Sequence, residues 1–200
     1  MYSVRQILGV LALTVVTFCT PCLAQLRSQE PNPGDLLIAS SDLDDPNFAQ
    51  SVVLLLEAGP EGAAGVILNR RMPIKVSAVL PQISELEGRS DLLHWGGPVD
   101  PTASLMLVRR PSQPPEGLRI LEGVYVMRST DSLRDLLRLG LPQSDLRVFG
   151  GYAGWIAGQL EWEISRGGWH LRPASERWIF DEDHSSLWEK LLQLIRSPVV

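Results

Sequence analysis

The apolar residues of this chain arrive in short runs, and glycine or proline closes nearly every one. Asp35-Leu36-Leu37-Ile38-Ala39-Ser40, Ser51-Val52-Val53-Leu54-Leu55-Leu56-Glu57 and Gly65-Val66-Ile67-Leu68-Asn69 are the plainest cases. Runs this short, bounded by turn residues, read as buried strands. The second and third flank Gly59-Pro60-Glu61-Gly62 and are expected to pair antiparallel. Strands that are apolar throughout need cover on both faces, from helices or a second sheet. Further strands are expected at residues 92–95, 105–109, 118–127 and 146–149, separated by Gly96-Gly97-Pro98 and a proline-rich stretch at 111–115.

Helices punctuate this pattern. Residues 75–80 can start a short one before Pro81. Residues 130–139 carry Leu133, Leu136 and Leu137 on one face, with Thr130 or Asp131 as cap and Gly140 as stop. Residues 187–195 show a capping-box pair, Ser186 and Glu189, and a stripe of Leu187, Leu191, Leu194 and Ile195. Over residues 158–165 the apolar residues alternate as in a strand, yet Ile156, Ala157, Leu160 and Ile164 also share a helical face. A helix is the expectation, which leaves Trp162 to pack on a second surface or stay exposed. Six or so strands with interspersed helices make an α+β single domain. At 44% hydrophobic and 20% charged, the 200 residues can bury a real core, which excludes a disordered chain.

The N-terminus reads differently. Arg5, an almost unbroken apolar run at 7–20, and Pro21-Cys22-Leu23-Ala24 before Gln25 match the three regions of a secretory signal peptide. Residues 1–24 are therefore expected to be a cleaved signal, residues 25–33 a flexible lead-in, and residues 34–200 the domain. The mature protein would be periplasmic or secreted, without a stable membrane span. The alternative is an uncleaved anchor, or a wrongly assigned start codon on a cytosolic protein. Both cysteines, Cys19 and Cys22, fall in this segment, so the mature chain has no disulfide, thiolate nucleophile or cysteine metal site. A net charge of -5 and a pI near 5.2 argue against nucleic acid as partner, since phosphate contacts need concentrated Lys and Arg.

Four stretches form a pattern. They are Gly34-Asp35-Leu36-Leu37-Ile38-Ala39 with Asp45-Pro46-Asn47-Phe48 and Ser51-Val52-Val53; Gly65-Val66-Ile67-Leu68-Asn69-Arg70; Gly96-Gly97-Pro98-Val99; and Gly151-Tyr152-Ala153-Gly154-Trp155 with Gly158-Gln159-Leu160-Glu161. In that order the chain resembles the YqgE/AlgH family, bacterial single-domain proteins without an established biochemical activity. The resemblance implies an α+β fold around a strongly bent mixed sheet flanked by helices, a cytosolic location as the alternative address, and no catalytic residues to carry over. The chain departs from the family pattern in two places. Glu57 is followed by Ala58 where an acid–His pair is common, and Leu107-Val108-Arg109 lacks a histidine often found there.

Residues 150–158 follow a strand and open a helix, a geometry that can aim free backbone N–H groups at an anion. The spacing is neither Gly-x-Gly-x-x-Gly nor a P-loop. The structural alternative is that Gly151 or Gly154 adopts positive φ and lets Tyr152 and Trp155 pack closely. Gly151, Gly154 and Gln159, with Asp45 and Asn47 on a facing loop, are the candidate ligand- or partner-binding residues. The partner would be a protein or a small anionic ligand, with no cofactor.

His94, His170 and His184 are far apart in sequence with no ligand spacing, so no metal site is expected. Asp42, Asp44 and Asp45 lack the Gly and Glu of a calcium loop. No Gly-x-Ser-x-Gly elbow raises Ser40, Ser41 or Ser51 as a partner for His94 or His184. Glu161 and Glu163 point to different helix faces. No catalytic residue is expected. Three functional classes remain: a non-catalytic binding or regulatory module, which is favoured; an undescribed enzyme with a site near residues 150–158; and a transcriptional regulator, disfavoured by the acidic charge.

Overall fold

A computed structural model describes residues 30–181 and 183–197. The expected signal peptide, both cysteines and the first part of the lead-in lie outside the described residues. Among the described residues there are ten strands: β1 (Asp35–Ala39), β2 (Val52–Gly59), β3 (Gly62–Ile67), β4 (Arg71–Lys75), β5 (Leu92–Trp95), β6 (Val99–Arg109), β7 (Leu118–Leu121), β8 (Val124–Met127), β9 (Leu146–Ile156) and β10 (Trp169–Pro173). The same residues hold four α-helices: α1 (Val76–Val79), α2 (Thr130–Arg138), α3 (Gln159–Ser165) and α4 (Leu187–Arg196). Among the described residues, no helix is long and apolar enough to cross a membrane.

The strands form one strongly curled sheet in the order β10-β1-β2-β3-β9-β6-β8-β7. β4 pairs with β5, and β5 runs parallel to β9, which makes the sheet mixed. The expected hairpin forms around Pro60-Glu61, with Gly59 opposite Gly62. Curling explains why the strands are apolar on both faces. Leu36, Ile38, Leu54, Leu56, Leu105, Leu107 and Phe149 point inward, where Ile179, Phe180, Leu187 and Leu191 fill the centre. On the outside, Met106, Val108, Tyr125, Leu146 and Val148 are covered by α2 through Leu133, Leu136 and Leu137. Leu37, Val53, Leu55, Ile67, Ala153 and Trp155 are covered by Leu160 and Ile164 of α3 and by Trp169.

β9 holds the three layers together, and it corrects the sequence reading. Residues 150–156 are strand, not turn; the reversal is confined to Ala157-Gly158 before α3. Phe149 and Tyr152 both face the inner core although they are three residues apart. A regular strand returns to a face every two residues, so one extra residue must be absorbed between them. It is absorbed at Gly150-Gly151, where the register against β6 shifts and Gly151 takes φ +72°. Gly154 keeps an ordinary φ.

Other boundaries moved for identifiable reasons. The α2 cap is Ser129, whose hydroxyl accepts from the Ser132 N–H, rather than Thr130 or Asp131. Ser186 makes no side-chain cap at α4; Asp183 instead caps the short 3-10 turn ahead of it. β4 and β10 carry no strand signature in the sequence, because Pro73 interrupts one and Gly167-Gly168 with polar His170 and Arg172 obscures the other. The helix expected at 158–165 forms as α3, and Trp162 stays 59% exposed.

Candidate functional site

The parallel β5–β9 pairing sets Leu93 beside Val148 and His94 beside Phe149. The chain returns after β10 so that His184, in the 3-10 turn His184–Ser186, meets the same place. The His94 and His184 rings lie 5.6 Å apart, edge to face, and His94 also touches the Phe149 ring at 5.3 Å. Both border a cavity of about 670 Å³ with Arg71, Arg147, Asp183 and Ser185 among its walls. Sequence reasoning separated these two histidines because no local spacing links them; only the tertiary pairing does.

His184 Nε2 donates to the Ile179 carbonyl at 3.0 Å, which fixes its tautomer because a carbonyl only accepts. His94 is 5% exposed, and its Nδ1 is buried without a hydrogen-bond partner. Burial, then His184 and Arg147, pushes the His94 pKa down to about 3, partly opposed by a hydrogen bond to the Val148 backbone. Burial and Arg147 likewise push His184 down to about 4, against the Ile179 bond and Asp183. Both imidazoles are therefore neutral at pH 7.

The charges around them are unequally engaged. Arg147 donates to the Leu146 carbonyl at 2.8 Å and to the Phe180 carbonyl at 2.6 Å. Asp91 is held by Arg89 at 2.6 Å. Asp183 accepts from the Ser185 N–H at 3.1 Å and its hydroxyl at 2.8 Å, bonds that hold its carboxyl below the ordinary range. The Arg71 side chain forms no ion pair among the described residues.

The five residues singled out in the sequence lie in other surroundings. Asp45 Oδ1 accepts from the Asn47 N–H at 2.7 Å, which tightens an exposed loop. That loop docks through Phe48, stacked 5.7 Å from Trp155 and edge-on 5.6 Å from Trp169. Arg70 donates to the Ala49 carbonyl at 3.2 Å and lies over the Trp95 ring. Gln159 Oε1 accepts from the Ile156 N–H at 3.2 Å, and its amide donates to Glu163 at 2.9 Å. Glu163 also accepts from the indoles of Trp155 at 3.0 Å and Trp169 at 2.8 Å. Gly151 sits at a backbone crossing: the Gly96 N–H donates to the Gly150 carbonyl at 2.9 Å, and the Gly96 carbonyl accepts from the Ile67 N–H at 2.9 Å. Three of the four recurring stretches thus meet at one point.

Comparison with known proteins places the chain. A family model described as AlgH-like matches residues 36–199. A UPF0301 protein of Chlorobaculum tepidum is 35% identical over 159 residues, 79% of this chain and 83% of that protein. One from Thermobifida fusca is 38% identical over 168 residues, 80% and 85%. Among solved structures, the AlgH protein of Pseudomonas aeruginosa superposes with a TM-score of 0.66 at 28% identity, covering 84% of this chain and 89% of that one. A Corynebacterium diphtheriae protein superposes at 0.71 with 25% identity, covering 85% and 89%. The chain belongs to the AlgH-like family.

Proposed function

We propose that this AlgH-like protein is a non-catalytic binding module that holds a small ligand in the cavity over His94 and His184. The observation that supports the reading is a cavity of about 670 Å³ lined by two imidazoles whose rings lie 5.6 Å apart, with Arg71 and Arg147 in the same wall. A concave site on which a few polar groups converge suits a small ligand. Binding is favoured over catalysis by the same histidines. General acid–base work wants a pKa near the working pH, and burial holds both rings far below it. The Ser185 hydroxyl is engaged by Asp183 rather than by an imidazole, so it is not poised as a nucleophile. In this reading Asp45, Asn47, Gly151, Gly154 and Gln159 frame the module, and a regulatory role would follow from what the ligand does to a partner protein.

Histidine side-chain NMR of the protein during addition of small-metabolite mixtures tests this. The expected hit shifts both the His94 and His184 ring signals and is recovered unchanged. Conversion of the hit to product, or binding that leaves both rings untouched, would refute the reading.

The leader adds an address. We further propose that residues 1–24 are removed on export and that the module works in the periplasm or outside the cell. Arg5, the apolar run and Cys22-Leu23-Ala24 support this. An intact mass beginning at Gln25 is expected from the native host; a cytosolic chain retaining residues 1–24 would refute it.

A further inference from the structure

Resting on the cavity as a ligand site, we propose that its ligand carries a tetrahedral oxyanion, a phosphate or sulfate group, and that binding draws a proton onto the His94–His184 pair.

The argument begins with the groups that face the pair. Arg71 comes from β4, Arg147 from β9, Asp91 from the segment entering β5, and Asp183 from the turn that carries His184. The Ile179 carbonyl holds one ring nitrogen, and Lys190 of α4 acts on Asp183. Of the two carboxylates among the described lining residues, Asp91 is matched by Arg89, and Asp183 accepts two bonds from Ser185. Both arginines disfavour charge on both histidines. Among the described lining residues, the two guanidinium groups that act on the imidazoles thus face carboxylates that are already engaged.

An oxyanion in the cavity reverses the balance. It meets Arg71 and offsets the two guanidinium fields, so the imidazolium form becomes affordable at a higher pH. A protonated imidazole in the cavity wall adds positive charge and donors, which an anion there complements. Two guanidinium groups plus one imidazolium suit a dianion better than a carboxylate. About 670 Å³ exceeds the ion itself and leaves room for a small organic body bearing the group. A cation is the poorer fit: among the described residues, no three His, Cys, Asp or Glu side chains converge to hold a metal.

The test is calorimetric titration of the protein with sodium sulfate from pH 8 to pH 5, in two buffers of different ionisation enthalpy, repeated with inorganic phosphate and with acetate. Sulfate keeps its two charges across this range, so any pH dependence belongs to the protein. Affinity is expected to rise as the pH falls, approaching tenfold per unit where one proton is taken up, with a heat that differs between buffers. Phosphate should compete with sulfate, and acetate should bind more weakly. Arg71→Ala should weaken sulfate at every pH and keep the slope. His94→Gln and His184→Gln should flatten it. Ring nitrogen shifts of the unmutated protein, read by NMR with and without sulfate, report the imidazolium directly should either variant fail to fold. Sulfate binding that is equal at pH 5 and pH 8, without a buffer-dependent heat, overturns the inference and leaves the cavity as a ligand site. Absence of sulfate and phosphate binding at every pH overturns the oxyanion assignment. Metabolite hits that leave the ring signals of both histidines unmoved overturn the cavity reading itself.

Discussion

Gly151→Ala is the most informative single substitution in this fold. At φ +72° a residue with a side chain pays about 1 kcal/mol or a little more, because Cβ crowds the neighbouring carbonyl. The new Cβ would also stand 2.5 Å from the Gly97 carbonyl oxygen and 3.0 Å from that of Val99. Those are backbone atoms and cannot rotate away. Relief requires the 96–97 segment to withdraw, stretching the 2.9 Å bond from the Gly96 N–H to the Gly150 carbonyl, at a further cost of about 1–3 kcal/mol. The sum is roughly 3 kcal/mol, or about 6–12 °C in melting temperature for a chain of this size. Its neighbour is the control. Gly150 has an ordinary φ, and a Cβ there would meet nothing closer than 3.5 Å, so Gly150→Ala should cost less than about 1 kcal/mol. Gly154→Ala, with 3.4 Å to Tyr152 Cε2, should behave like the control. Thermal unfolding by circular dichroism measures all three. A Gly151→Ala protein melting within about 2 °C of the parent, or a Gly150→Ala protein losing as much, would show that the crossing is not tight.

Two further outcomes follow from the buried polar groups. His94 and His184 have folded pKa values of about 3 and about 4 against the ordinary 6.5, so below pH 6.5 the unfolded chain binds protons the native state refuses. Stability should therefore be complete above about pH 6.5 and fall towards pH 3–4, by up to about 1.4 kcal/mol per unit for each ring, in urea melts without sulfate or phosphate; an unchanged slope in the two His→Gln variants would count against it. Glu163→Ala leaves the Trp155 and Trp169 indole N–H groups without their acceptor and should cost on the order of 3 kcal/mol, with Glu163→Gln milder and the exposed Glu161→Ala near zero by thermal melting; equal effects from Glu163→Ala and Glu161→Ala would refute the shared-acceptor role.

Much of the fold was legible where the signal is local. The hairpin at Pro60-Glu61, the helices over residues 130–139 and 187–195, and the α+β class all follow from turn residues and apolar spacing. What escaped was whatever depends on a partner distant in sequence. Residues 150–156 look like a turn because glycines crowd them, yet Gly150 and Gly151 are there to absorb a bulge inside an 11-residue strand. Likewise His94 and His184 are 90 residues apart, and nothing in either neighbourhood announces that β5 will lie parallel to β9.

These two features have one cause, and it joins the motif to the site. The Gly96 N–H bond to the Gly150 carbonyl continues the β5–β9 ladder just past Trp95, which pairs with Gly150. A side chain at Gly96 would run into the Gly151 carbonyl, so only glycine lets the two strands meet at that separation. That contact fixes the register that puts His94 opposite Phe149, two residues beyond Arg147 on the same strand. The glycines nearest the sequence signature thus position the cavity without entering it. A substitution at Gly96 or Gly151 should therefore disturb the His94 ring resonances as well as the melting temperature, whereas Gly154→Ala, further along β9, should leave those resonances in place. Loss of stability in Gly151→Ala with unmoved His94 signals would separate the crossing from the site and refute this link.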